Sequence, residues 1–232
     1  MPRPRIHDTD RVLDAVESLA VSSGPAAVTI RAISAAVGVS NGALYHSFGS
    51  RAGLLAQAWL RAGRRFLEAQ TAVVNAALAA PGRAAAIEAV AAAADTPAAF
   101  AEQHPDSCRL LLTVPRDELL DPGLPDDIHT EIRKLESMLI ELMIRLAQRA
   151  WNRKDAAAVD AITVCIVDLP TAILLRRDRL HSDTAREQLR AAVRAVLEIE
   201  PQLGCGGGPG GGRAPARGGG GGGGRGGGGA GG

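Results

Sequence analysis

Three hydroxyl residues, Thr29, Ser40 and Ser50, each stand just before an apolar-periodic stretch, which marks three helix starts in close succession. Thr29 opens a short helix from Ile30 to Val37, with Ile33 and Val37 one turn apart, and Gly38-Val39 ends it. Ser40 opens a second through His46, and Ser50 opens a long one from Arg51 into the seventies with Leu54, Leu55, Ala58, Trp59 and Ala62 inward. Upstream, Val12, Leu13, Val16, Leu19 and Ala20 recur at steps of three and four, which predicts a helix from about Asp8 to Val21, ended by Ser22-Ser23-Gly24-Pro25. Neither short helix can bury its apolar face alone. The pair must cross tightly, with Gly38 taking a left-handed turn at little steric cost, Ala36 small at the crossing, and Ile33, Val39 and Leu44 filling the inner face.

The rest of the body reads as helix too, because Ala and Leu dominate and no alternating strand pattern persists. Helices are expected at about 83–94, 97–113, 126–151, 155–178 and 183–198. The breaks fall at Asp95-Thr96-Pro97, at Pro115 to Pro125 and at Asn152 to Asp155, and Pro170 is expected to kink the helix that contains it. The fold class is therefore all-α, with roughly nine helices. Of 28 glycines, 20 lie at positions 204–232, so a Gly-poor body precedes a Gly/Arg-rich tail, 201–232, expected to be disordered.

Charge is unevenly placed. Residues 1–65 hold eight arginines against four acids, whereas residues 66–200 hold 15 basic and 21 acidic residues. A basic front on an acidic body suits contact with a polyanion. No run of about 18 uncharged apolar residues occurs, so no membrane span is expected. The start, Met1-Pro2-Arg3-Pro4-Arg5, lacks an apolar signal core, and three cysteines (Cys108, Cys165, Cys205) make no complete disulfide framework, which fits a cytoplasmic protein.

Residues 29–48 thus spell a helix-turn-helix, whose second helix can enter the DNA major groove. The surrounding stretch, from about Asp10 to Leu60, resembles the DNA-binding domain of the TetR family of transcriptional regulators. Thr29, Arg31, Ile33, Gly38, Val39, Ser40, Gly42, Leu44, Tyr45, Phe48, Arg51 and Leu54 carry the likeness, over about a quarter of the chain. It implies a division into a DNA-binding domain at 1–52, a helical effector-binding and dimerisation domain at 53–200 and the tail. It also implies that Asn41 meets an adenine edge, Ala43 a thymine methyl, and Tyr45, His46, Thr29 and Ser40 the phosphate backbone. Arg31 would reach a base or phosphate, Gly42 leaves the groove face small, and Arg51, where the family usually has Lys, would neutralise a phosphate. Arg3 and Arg5 are either a minor-groove arm or a frayed terminus.

The likeness further implies a homodimer through about 155–198, where Val159, Ile162, Ile166, Leu169 and Ile173 and then Leu189, Val193, Val196 and Leu197 form apolar stripes. It implies a small-molecule effector of unnamed kind. Trp59, Phe66, Phe100, Leu111, Leu139, Met143 and Trp151 either line an apolar pocket or are plain core. The expected function is a ligand-responsive regulator, in the repressor sense, released from a palindromic double-stranded DNA operator. The alternative is a small-molecule-binding or redox-sensing helical protein with vestigial DNA binding. No phosphate loop, nucleophile elbow or His-Glu-x-x-His pattern appears, so neither enzymatic activity nor a cofactor is expected. His104 and Cys108 have the i, i+4 spacing of metal ligands, but Pro105 interrupts them and no metal site is expected.

Overall fold

A computed structural model describes residues 6–114 and 124–202. These form only helices: α1 (Ile6–Ser23), α2 (Ile30–Val37), α3 (Asn41–Phe48), α4 (Arg51–Ala77), α5 (Arg83–Gln103), α6 (Pro105–Thr113), α7 (Asp126–Trp151), α8 (Ala156–Thr163) and α9 (Asp183–Glu198), with a 3₁₀ turn at Pro25–Ala27. The all-α expectation holds among the described residues. The expected tail disorder and the Arg3–Arg5 arm lie outside them, apart from Pro201 and Gln202.

One expected break is absent. Asp95-Thr96-Pro97 lies inside α5, which runs unbroken to Gln103, and the chain turns instead at His104 (φ −137°, ψ 65°) before Pro105. Proline has no N–H, so Pro97 leaves the Ala93 carbonyl, one turn back, without its helical donor. The Nε2 of Gln70 on α4 donates to that carbonyl at 3.0 Å, in the protein interior. The helix survives its proline because a neighbouring helix supplies the missing bond. At Pro170, where a kink is expected, the chain stays helical: α8 continues through two π-helical turns, Val164–Asp168 and Thr171–Leu175, on either side of the proline.

Two apolar clusters form the core. One joins α4, α5, α7, α8 and α9 through residues such as Phe100, Leu146, Ile162 and Leu189. The other holds Val16, Ile33, Leu44, Phe48 and Leu54 of the first four helices, and with them Leu110, Val114, Leu124, Ile128, Ile132 and Leu135 from the body. The helix-turn-helix therefore shares its core with α6 and α7, and α4 runs through both clusters.

Two helices are long and apolar enough to cross a membrane by length and composition, α5 and the segment Ala156–Leu175, although neither is an uncharged run: the first contains Glu88 and Asp95, the second Asp160 and Asp168. Their burial separates them. In α5, 67% of the apolar window is buried, as in a core helix, whereas in Ala156–Leu175 only 33% is. Val167 on that segment is exposed, and Val164 and Leu175 are only half-buried.

On α5, the buried carboxylate of Asp95 receives Arg186 Nη2 at 2.7 Å and Arg190 Nη2 at 2.6 Å from α9. Burial by itself would raise the Asp95 pKa, but the two arginine hydrogen bonds outweigh it and hold the carboxyl below the usual range. Asp95→Asn should lower stability by about 2 kcal/mol at neutral pH, in the range for stranding one partner of a half-buried pair. A carboxyl with a lowered folded pKa contributes fully above its unfolded value, about 3.9, and the contribution fades as pH falls through the folded value. Urea unfolding of wild type and variant should therefore differ at pH 7 and converge in strong acid; a pH-independent gap would contradict the ionic role.

Gly53, in the first turn of α4, is a second point of constraint. A Cβ there would lie 2.0 Å from the Phe48 carbonyl oxygen, which is backbone and cannot swing away, whereas a Cβ on Gly42 would meet nothing within 4 Å. Gly53→Ala should cost about 1–3 kcal/mol by overpacking. Gly42→Ala, at an open helical position, should instead stabilise by up to about 1 kcal/mol. Thermal unfolding of both variants checks the contrast.

Candidate nucleic-acid interface

The α2–α3 pair is built by its caps. Thr29 Oγ1 accepts the Ala32 N–H at 3.1 Å, and Ser40 Oγ accepts that of Ala43 at 3.2 Å. Gly38 takes the left-handed conformation (φ 73°, ψ 20°) between the helices, and its N–H closes α2 onto the Ser34 carbonyl. Each capping hydroxyl accepts with its oxygen, which leaves its own hydrogen able to donate outward, for example to a phosphate.

The inner faces are buried: Ile33, Leu44 and Phe48 join the cluster with α1 and α4. Val39 is half-buried. Ala36 is exposed, so it does not sit at the helix crossing as the sequence suggested. Asn41, Gly42, Ala43, Tyr45 and His46 form the outer surface of α3, flanked by exposed Ser40, Thr29 and Arg31. With 57% of its surface exposed, Tyr45 is not a core aromatic, and its hydroxyl is free to reach a ligand.

Arg51 departs from the expectation of a simple phosphate cation. Its Nε donates to the Val28 carbonyl at 2.7 Å and its Nη2 to the Pro25 carbonyl at 2.5 Å. It braces the turn between α1 and α2 onto the start of α4, so its guanidinium is already engaged in the free protein. The basic front also thins. Arg61 is buried among carboxylates, and Arg64 pairs with Glu131 at 2.7 Å. Arg11 and Arg31 remain exposed.

Behind this surface lies a polar knot that residue types alone do not announce. Arg61 of α4 donates to Glu17 Oε1 at 2.7 and 3.1 Å, to Asp14 Oδ1 at 2.7 Å and to Asp10 Oδ1 at 3.4 Å, all on α1. The hydroxyl of Ser107 on α6 donates to the other Glu17 oxygen at 2.6 Å. Glu17 and Ser107 are almost fully buried. Asp10, Asp14 and Glu17 recur at steps of four and three, an acidic stripe on one helix face; that spacing was the available signal.

The seven residues named for a ligand pocket are scattered through the core. Phe100 and Met143 are buried, Phe66, Leu111, Leu139 and Trp151 pack against the same cluster, and Trp59 belongs with the other. Phe66 and Phe100 meet edge to face, with ring centres 5.5 Å apart. Phe100 also lines a cavity of about 370 Å³ between α4, α5 and α9, with Asp95, Arg190 and Arg194 at its polar side. Burial pushes the Cys165 thiol up to about 12 and raises that of Cys108 as well, so both are protonated near neutral pH.

The brace at Arg51 is directly testable. Arg51→Ala strands two carbonyls and should lower stability without DNA by about 1–3 kcal/mol. An unchanged melting temperature in that variant would show that Arg51 has no structural part.

Comparison with known proteins agrees with this geometry. Residues 12–58 match the family described as bacterial regulatory proteins, tetR family. No curated protein matches the sequence. Among solved structures, the fold is similar to the TetR-family regulator PfmR from Thermus thermophilus, with TM-score 0.60 and 20% identity over 82% of this chain and 98% of that one. It is similar to a TetR-like regulator from Rhodococcus sp. RHA1, with TM-score 0.61 and 20% identity over 86% and 100%. The ketosteroid transcriptional regulator KstR2 of Mycobacterium tuberculosis gives TM-score 0.55 at 15% identity over 84% and 95%. Residues 12–58 thus carry the amino-terminal domain of the tetR-family regulatory proteins, within a chain that has the fold of TetR-family transcriptional regulators.

Proposed function

We propose that this protein is a cytoplasmic, dimeric, sequence-specific DNA-binding regulator, a repressor released from a palindromic operator by a small molecule. The observation that carries the reading is the face of α3: a short helix with its inner side buried and Asn41, Ala43, Tyr45 and His46 exposed together. Asn41 offers the paired donor and acceptor that suit an adenine edge, and Ala43 a methyl for thymine. Tyr45, His46, Thr29 and Ser40 would hold phosphates, with Arg31 at a base or phosphate and Gly42 allowing close approach. Arg51 would act by holding the α1–α2 turn and only secondarily as a charge. Arg3 and Arg5 remain candidates for a minor-groove arm. The effector domain would be 53–200, with α4 shared between the two functions.

A dimer is a requirement of the reading, because one helix-turn-helix contacts one half-site. Ile162, Ile166, Leu189, Val193 and Leu197 of the expected dimer stripes are buried inside the single chain, so the face offered to a partner would be the other side: the segment Ala156–Leu175, two-thirds of whose apolar window is unburied, beside an α9 whose outward residues Ala191 and Ala195 are small. Such a pair suits a two-fold four-helix bundle. Coupling between the effector domain and DNA would run through Glu17, which joins α1 to α4 by Arg61 and to α6 by Ser107. A ligand that favours a different α6 position would bias the placement of α1 through that one carboxylate. A redox-sensing function gains no support from Cys108 and Cys165, whose buried thiols are poor nucleophiles.

The test is binding to the promoter DNA beside its own gene, followed by fluorescence anisotropy and sedimentation. Wild type should bind two chains per duplex, with affinity falling steeply as salt rises. Asn41→Ala with Tyr45→Ala should weaken binding at least tenfold without changing the melting temperature. Negligible affinity even at low salt would leave the helix-turn-helix vestigial and overturn the reading.

A further inference from the structure

Beyond Gln202 the sequence changes character. Of residues 204–232, 20 are glycine, and the charged ones are three arginines, Arg213, Arg217 and Arg225. No Asp or Glu follows Glu200, and no aromatic residue occurs in this stretch. Its other members are Cys205, three alanines and two prolines. Such a composition supplies little apolar surface for a core or a pocket. What it brings to a partner is positive charge, planar guanidinium groups and backbone N–H groups. Arg225 stands between Gly224 and Gly226, so neither chain neighbour has a Cβ to keep a charged surface at a distance.

The amino-terminal domain gives that charge a purpose. A DNA-binding protein gains much of its hold by neutralising phosphates, with about six to ten contacts in strongly salt-dependent cases. Here most of the described arginines of that domain are spent on the protein itself. Arg51 is bonded to Val28 and Pro25, Arg61 to Glu17, Asp14 and Asp10, and Arg64 to Glu131, while Arg65 lies against Glu17 and Ser107. Among the described residues up to 65, Arg11 and Arg31 are left as exposed arginines without a partner. Residues 66–200 deepen the deficit, since their 21 acids against 15 basic residues repel a polyanion. The glycine-rich stretch has the opposite sign, with three cations and no acid.

We propose that residues 204–232 are a second nucleic-acid-binding element, which holds duplex DNA by its phosphates without reading sequence. Arg213, Arg217 and Arg225 each donate to phosphate oxygens and release condensed counter-ions, so the affinity they add falls as salt rises. Duplex DNA is favoured over single-stranded RNA on two grounds. Its phosphates release more counter-ion per contact, and the stretch has no aromatic side chain on which an unpaired base would stack. Labour is then divided: α3 sets the site, and the arginines supply a sequence-independent hold that keeps the protein on DNA between sites. The element rests on the DNA-binding reading and extends it to a part of the chain outside the helix-turn-helix.

Fluorescence anisotropy on the full-length protein tests this, with two variants: Arg213→Gln, Arg217→Gln and Arg225→Gln combined, and the same three positions changed to Lys. The probes are the promoter duplex beside its own gene, a duplex of unrelated sequence and equal length, and a single-stranded RNA of that length. On the unrelated duplex, the plot of log affinity against log salt should be steeper for wild type than for the Gln variant by about 2.7 per chain bound, an about 40-fold larger loss of affinity between 50 and 200 mM salt. The Lys variant should restore the steeper slope, the same difference should appear on the promoter duplex, and all three proteins should melt at one temperature. Equal slopes for wild type and Gln variant, or a deficit that does not change with salt, would overturn the element. A slope difference larger on RNA than on duplex would overturn the choice of partner. The two readings fail separately. Promoter preference with equal slopes would remove the second element and keep the regulator, whereas a slope difference without promoter preference would remove the regulator and keep the element.

Discussion

The buried carboxylate of Glu17 is where the amino-terminal helices and the body of this protein are tied together. Its two oxygens face different partners: Arg61 of α4 holds one, and Ser107 of α6 holds the other. Removing one member of a buried pair costs about 3–5 kcal/mol in comparable systems, because the remaining charge is left without water or counter-ion. Arg61 is tolerable in the interior only because α1 also brings Asp10 and Asp14 to it. The apolar contacts run the same way, with Leu110, Val114 and Ile132 of the body in one cluster with Ile33 and Phe48. The recognition surface therefore cannot shift as a free module. Any change in its placement must be accompanied by rearrangement at α6 or α4.

The same economy of polar groups explains the places where helices take unexpected paths. The sequence marks Pro97 as a break, and local backbone rules alone would put one there. What keeps α5 continuous is a side chain 27 positions earlier, Gln70, whose amide replaces the lost donor at the Ala93 carbonyl. A long-range partner of that kind has no local signature, so the break was readable only in the wrong place. Asn152 shows the opposite case. It ends α7 in the left-handed conformation (φ 55°), and a chain turn at Asn152 to Asp155 was legible from residue type alone.

At the recognition surface the sequence was informative because caps, turn glycine and apolar spacing all act within a few residues. Thr29, Gly38 and Ser40 do what their types imply. Arg51 does more: counting charges treated it as a free cation, whereas its bonds to Val28 and Pro25 depend on a turn more than 20 residues away. Gly53 was invisible for a similar reason, since its requirement comes from the approach of the Phe48 carbonyl. The aromatic and apolar residues expected around a ligand could not be separated from core by type, and most of them pack as core.

A regulatory function requires that this surface read DNA sequence. Selection from a random duplex pool by the purified full-length protein, with sequencing of the bound fraction, tests that most directly. A dimeric regulator should enrich a palindromic site whose half-site centres are separated by about one helical turn or a small multiple of it, about 10 base pairs each. Recovery of a pool no different from the input, at salt low enough to retain non-specific binding, would contradict it.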